Sequence, residues 1–147
     1  MYINQPNTDT EAAILLAEST SINKDELDLE NEKVPSQLAY YSTLYSTAID
    51  VELEADLEVT KVEATMREKL RQGTALAGNG KKLTVDELDS KVYMSSEWLN
   101  AKRAHNKAKA NKERLKGIVN SINVKAEMLV SMSANRRSER RNNLDPR

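Results

Sequence analysis

The chain has 147 residues, of which 31% are charged, with four glycines, three prolines, one tryptophan and no phenylalanine. It contains no cysteine, which excludes disulfides, thiolate metal sites and cysteine nucleophiles. No apolar run approaches the roughly 20 residues of a membrane-spanning helix, so no membrane association is expected. The scarcity of helix breakers predicts an all-α domain, and the shortage of large apolar residues favours a homo-oligomer.

Charge is distributed unevenly along the sequence. Residues 1–73 carry 15 acidic and 6 basic side chains, whereas residues 74–147 carry 8 acidic and 16 basic side chains. This asymmetry predicts either a basic half that binds nucleic acid or two halves that neutralise each other.

Residues 1–33 are predicted to be a flexible acidic segment containing a short helix that Thr8 and Glu11 would cap. A long first helix is predicted over about residues 35–72, because Pro35 suits a first helical position and no Pro or Gly follows it until Gly73. Its apolar and small residues recur at alternating steps of three and four, interrupted only at Glu52, which indicates packing along another helix. These residues are Leu38, Tyr41, Tyr45, Ala48, Ala55, Val59, Val62 and Met66.

Residues 73–82 hold three of the four glycines and predict a turn. Thr84 and Glu87 have the spacing of a capping box, so a second helix is predicted over about residues 84–137. The apolar and small residues that form a stripe along one face of this helix are Met94, Trp98, Ala101, Ala108, Leu115, Ile118, Ile122, Leu129 and Met132. The predicted fold is therefore an all-α, long antiparallel helical hairpin over residues 34–141, with coiled-coil-like oligomerising stripes and a disordered tail at 142–147.

The sequence contains no complete motif for catalysis. Gly73 and Gly78 share the first spacing of a phosphate-binding loop, but Asn79 stands where that loop needs lysine. His105 is the single histidine and has no cysteine or paired acidic cluster beside it. We therefore expect no catalytic residue, no metal and no cofactor, and the protein is predicted not to be an enzyme.

A basic stretch is the strongest functional signal, because residues 99–141 contain 12 Lys and Arg against 3 Asp and Glu. The first cluster is Lys102, Arg103, Lys107, Lys109, Lys112, Arg114 and Lys116, and the second is Arg136, Arg137, Arg140 and Arg141. Such arrays bind phosphate backbones by charge neutralisation and counterion release. Aromatic side chains could stack on bases beside them, although core packing is the favoured explanation of Tyr40, Tyr41, Tyr45 and Trp98.

The first cluster has an alternative explanation. A hairpin folded about residues 78–79 would place the acidic run Asp50–Glu58 opposite residues 99–107, where the charges would fix the register of the helices. The arginine-rich second cluster has no acidic counterpart in the hairpin. A phosphate or partner contact is therefore favoured there.

Three segments together resemble small bacteriophage proteins, the recombination mediators of the UvsY type. They are VPSQLAYY at 34–41, LTVDEL at 83–88, and RLKGIVNSINVKAEMLVSMSANRRSE at 114–139. The most specific part is KAEMLVSMSANRR at 125–137. These are helical patterns, with no catalytic signature among them.

The resemblance implies a multimer that binds single-stranded DNA and helps load a strand-exchange recombinase as single-strand-binding protein is displaced. It implies a role in phage DNA recombination and repair, in the cytoplasm of an infected bacterium. By position, Lys125, Arg136 and Arg137 would make DNA or subunit contacts. An oligomer interface is expected from the apolar stripe of the second helix together with the resemblance. Its residues are Leu115, Ile118, Ile122, Met128, Leu129 and Met132. The alternative is a structural scaffold or adaptor of coiled-coil type that binds no DNA.

Overall fold

The computed structural model describes residues 9–76 and 83–144, and within those ranges it is helical and contains no strand. The elements are α1 (Asp9–Thr20), a 3₁₀ turn (Lys24–Glu26), α2 (Leu27–Leu76), α3 (Val85–Tyr93) and α4 (Ser96–Leu144). The all-α prediction is confirmed. None of the helices in the described ranges has the combined length and apolar character needed to cross a membrane.

Helix α2 is longer at both ends than the predicted span of 35–72. It begins at Leu27, so that Pro35 lies inside the helix and does not start it. Proline removes one backbone hydrogen bond, but Leu27 and Val34 are buried in a hydrophobic core on its N-terminal side and stabilise the helix there. At the other end α2 continues through Gly73 to Leu76, so the first four residues of the predicted turn 73–82 are helical. Residues 77–82 lie outside the described residues.

The predicted second helix is divided in two. Its capping box is confirmed, because Thr84 Oγ1 accepts from the backbone N–H of Glu87 and the Glu87 carboxylate accepts from that of Thr84. The break falls at Ser95, whose hydroxyl donates to the Val92 carbonyl at 2.6 Å and accepts from the Trp98 N–H at 3.2 Å. One serine thus ends α3 and caps α4. Met94, predicted to lie in the apolar stripe, is 81% exposed at this break.

The chain divides into two compact units, which α2 and α4 both enter. Unit 1 comprises the described residues up to Tyr45 and from Arg114 onward. Its core consists of Leu27, Val34, Ile118, Ile122 and Leu129, and Leu16 and Ile22 pack against it. Part of the predicted flexible segment 1–33 therefore contributes to a core, while Thr8 lies outside the described residues. Helix α4 also continues to Leu144, beyond the predicted end at 137 and into the expected tail.

Unit 2 comprises Ser46–Glu113. Its buried hydrophobic residues are Ala48, Val59, Leu88 and Val92. An ion pair of 2.8 Å between the Arg67 guanidinium and the Asp89 carboxylate joins α2 to α3. Glu52 of α2 pairs with Lys112 of α4, and Asp56, four residues further along α2, lies beside His105, seven residues before Lys112. The two helices therefore run antiparallel within this unit.

Candidate nucleic-acid interface

The C-terminal turns of α4 place the arginines of the second cluster in solvent. Three of them form one side of a cavity of about 330 Å³ in unit 1. The lining residues are Leu27, Asp28 and Asn31 from the start of α2, and Ser133, Arg136, Arg137 and Arg140 from α4. The cavity exists because the first turn of α2 lies beside the last turns of α4.

Hydrogen bonds hold the inner wall of this cavity in place. The Asn31 side-chain amide donates to the Leu27 carbonyl at 2.9 Å and to Ser133 Oγ at 3.3 Å. Arg137 Nε donates to the Ser133 carbonyl at 3.2 Å. Asn31 and Ser133 thus join α2 to α4, while the bond from Arg137 orients its guanidinium and leaves the two terminal nitrogens for a ligand.

The arginines of the cavity have no carboxylate partner among the residues that the structure describes. Within the ranges that the structure describes, none of Arg136, Arg137 and Arg140 forms an ion pair. Asp28 contributes one carboxylate to the wall, so the lining has a formal charge of +2. An exposed cationic cavity of this kind attracts anions, and guanidinium groups suit phosphate oxygens in particular.

In unit 2, the first cluster is partly paired with the acidic run of α2. Lys112 Nζ lies 2.8 Å from Glu52 Oε2 and donates a hydrogen bond to it. That hydrogen bond lowers the pKa of the Glu52 carboxyl below its ordinary value, against the opposing effect of burial. The acidic run is therefore paired with a lysine of the first cluster, but Lys112 lies beyond the predicted stretch 99–107. Within that stretch Arg103 and Lys107 are exposed, as is Lys109 just after it.

The remaining members of the first cluster differ in exposure. Lys102 is half-buried in unit 2, while Arg114 and Lys116 are exposed in unit 1. His105 lies 3.6 Å from the Asp56 carboxylate, and its side chain is largely covered. The acidic run thus contacts His105 and Lys112 of α4.

Lys125 does not fit the predicted DNA contact. Its side chain is only 3% exposed, and Nζ lies 2.7 Å from the Glu30 carboxylate. Nζ also donates to the Ser19 carbonyl at 3.1 Å. A buried ammonium with two partners inside the chain cannot reach a phosphate, so this assignment is wrong. Lys125 instead joins the end of α1 and the start of α2 to α4.

The predicted oligomer interface is also corrected, since five of its six residues serve the core of unit 1. Ile122 and Leu129 are fully buried and Ile118 nearly so. Leu115 and Met132 are partly buried against the same cluster. Met128 alone among the six is mostly exposed, at 51%.

The four aromatic residues that were candidates for base stacking also differ in their exposure to solvent. Tyr40 is 61% exposed and meets Tyr41 edge-to-face at 5.2 Å. Tyr41 packs against the core of unit 1 with its hydroxyl 3.3 Å from Ser19 Oγ. Tyr45 is half-buried, and Trp98, also half-buried, contacts Tyr93 in unit 2 with ring centroids 4.8 Å apart. Tyr40 is therefore the one ring of the four with a largely open face for stacking on a base.

Sequence reasoning found the cavity's arginines but missed Asp28, Asn31 and Ser133. Asn31 and Ser133 lie 102 positions apart, and residues 1–33 were treated as separate from the hairpin. The available signal was the apolar spacing of Leu27 and Val34, which extends the stripe of α2 before Pro35.

No three His, Asp or Glu side chains in the described part of the chain are grouped so that they could hold a metal ion. The exposed cations of α4 are the candidate site on the evidence of their exposure and of the cavity that three of them line. Comparisons of the chain with family models, curated proteins and solved structures give no match.

Proposed function

We propose that this chain is a non-enzymatic protein that binds single-stranded DNA and acts as a recombination mediator, helping a strand-exchange recombinase to load in phage recombination and repair. The observation that carries the proposal is the group of exposed arginines at the end of α4, which have no carboxylate partner among the described residues. The mediator role rests on the resemblance of residues 34–41, 83–88 and 114–139 to the UvsY type.

Binding would be largely electrostatic. Each phosphate neutralised by an arginine releases condensed counterions, so affinity for a single strand falls with salt, with a slope of roughly −0.7 per phosphate contact. One chain presents few such contacts and would bind weakly. A homo-oligomer would present several copies to one strand, and avidity can exceed the affinity of each site by roughly 10²–10⁴.

A structural scaffold or adaptor remains the second candidate, supported by a different observation. Lys112 and Lys125 are both paired inside the chain, with Glu52 and Glu30 respectively. Those pairs show that some cations of α4 stabilise helix packing. They do not account for the arginines of the second cluster, and for that reason we favour DNA binding.

The test is fluorescence anisotropy of a labelled single-stranded oligonucleotide, titrated with protein at low and physiological salt. Replacing Arg136, Arg137, Arg140 and Arg141 by Ala is expected to weaken binding and to reduce the salt slope by up to about 3. The matched control replaces four exposed lysines elsewhere, Lys33, Lys61, Lys69 and Lys91, with the same change in net charge.

Two results would count against the proposal. The first is no binding by the unaltered protein at low salt, which would favour the scaffold. The second is an equal loss in both variants, which would reduce the effect to net charge and remove the role of the arginines. Stimulation of recombinase loading is the assay that follows a positive result.

A further inference from the structure

We infer that the cavity between the start of α2 and the end of α4 is a site for one phosphomonoester dianion, the terminal phosphate of a DNA strand. The inference rests on the proposed function in so far as it takes DNA as the source of the phosphate. It concerns a single pocket in unit 1 and a chemical group that differs from the diesters along a strand.

The number and type of donors favour phosphate. Arg136 and Arg140 are four residues apart on α4 and therefore share one face of the helix, where both line the cavity. Arg137 lines it as well, with Nε bound to the Ser133 carbonyl. Each planar guanidinium can donate two parallel hydrogen bonds to a phosphate group.

The fixed part of the cavity supplies a further donor. Ser133 Oγ accepts a hydrogen bond from the Asn31 amide at 3.3 Å. A hydroxyl that accepts one bond keeps its own hydrogen to donate. Because Asn31 also donates to the Leu27 carbonyl at 2.9 Å, this pair is held before any ligand arrives. Preorganised donors reduce the entropy that binding costs.

Charge selects the terminal group over the diester. Three guanidinium groups and the Asp28 carboxylate give the lining a formal charge of +2. A phosphomonoester carries about −1.5 to −2 near pH 7, whereas each diester of the backbone carries −1. A lining of net positive charge attracts a dianion more strongly than a monoanion, and Asp28 weakens the attraction of both.

The size of the cavity agrees with this assignment. Its volume of about 330 Å³ lies at the lower end of small-molecule sites, which span roughly 300–1,000 Å³. This space is large enough for a phosphate with its attached sugar. Contacts to the rest of a strand would fall on exposed residues outside the cavity.

The experiment compares single-stranded oligonucleotides of one sequence with a 5′-phosphate, a 3′-phosphate or hydroxyl at both ends, by competition anisotropy. At least one phosphorylated end is expected to bind roughly tenfold more tightly than the hydroxyl form. The double variant Arg136→Gln, Arg140→Gln should lose this preference. Asp28→Asn should strengthen binding of the phosphorylated strand by removing an opposing charge.

Arg141→Gln is the matched control, since it removes one charge from the same helix end but Arg141 does not line the cavity. It should keep the preference for a phosphorylated end. Equal affinity for all three oligonucleotides would overturn the site, and DNA binding would still stand. A preference reduced equally by Arg141→Gln and by Arg136→Gln alone would overturn it too.

A second probe separates this inference from the proposed function. Inorganic phosphate is titrated against the full chain, and its ³¹P resonance is followed. If no oligonucleotide binds, the proposed function fails, and the phosphate titration alone decides the cavity. Saturable broadening that Arg136→Gln, Arg140→Gln abolishes would support a site for free phosphate, whereas an unchanged resonance would overturn it.

Discussion

The two units place the basic residues of a single helix in opposite environments. In unit 2, Lys112 of α4 is paired with Glu52 of α2 at the helix contact. In unit 1, Lys125 is buried against Glu30, yet a few turns later Arg136 and Arg140 are exposed around a cavity. Composition is therefore a poor guide to the role of a cation on α4, and its position relative to the other helices decides.

The difference follows from what each unit can bury. Unit 1 has a cluster of branched apolar residues, with Ile122 and Leu129 completely covered, so an ion pair beside it is shielded from water. In unit 2 the N-terminal part of α4 offers Ala101 and Ala108, which are small and only half-buried. Small residues contribute little burial energy, and ion pairs at the edge of the contact then help to fix the register.

The largest effect is expected from breaking the buried pair of unit 1. Lys125→Met leaves the Glu30 carboxylate buried without its cation, which should destabilise the protein by about 3–5 kcal/mol. Denaturant unfolding followed by circular dichroism measures this. The double variant Lys125→Met, Glu30→Gln should recover a large part of the loss, because no unpaired charge remains.

Lys116→Met is the control for that comparison, since Lys116 is an exposed cation on the same helix and in the same unit. Its stability should stay within about 0.5 kcal/mol of the unaltered protein. Similar losses for Lys116 and Lys125 would contradict the distinction between buried and exposed cations.

Part of the fold could be predicted from sequence because it depends on local signals. The Thr84–Glu87 capping box and the scarcity of glycine and proline predicted helices without any knowledge of packing. The start of α2 could not be placed, because tertiary burial of Leu27 and Val34 overrides the local preference of Pro35. The break at Ser95 depends on one hydroxyl that serves two helices, and serine is too common to signal it.

The sequence predicted that the candidate site is basic, but not which of its cations are exposed. Lys125 and Arg136 look alike in the sequence, as members of one basic stretch of α4. Their difference arises from partners far away in the chain: Glu30 covers the first, and the Asn31–Ser133 contact builds the wall beside the second. Pairing across roughly a hundred residues is information that spacing along one helix does not contain.

The next effect concerns two neighbouring residues that were predicted to share an interface. Leu129→Ala removes a fully buried side chain from the core of unit 1 and should cost about 2–5 kcal/mol. Met128→Ala changes an exposed side chain and should cost less than about 0.5 kcal/mol. Unfolding at several protein concentrations measures both, and a Leu129→Ala loss that vanishes on dilution would restore the interface assignment.

The smallest effect is the pH dependence of the charge pair in unit 2. The hydrogen bond from Lys112 lowers the pKa of Glu52 in the folded chain. Its charged form therefore stabilises the fold above the unfolded pKa, and this contribution is lost as pH falls through the folded pKa. Glu52→Gln should lower the unfolding midpoint at pH 7, and this difference should disappear once the pH falls below the lowered pKa of Glu52 in the folded chain. The control is Glu54→Gln, an exposed neighbour on α2. A Glu52→Gln effect that persists unchanged in acid would show that the side chain acts through packing, and the contrast between the two units would then lose its electrostatic basis.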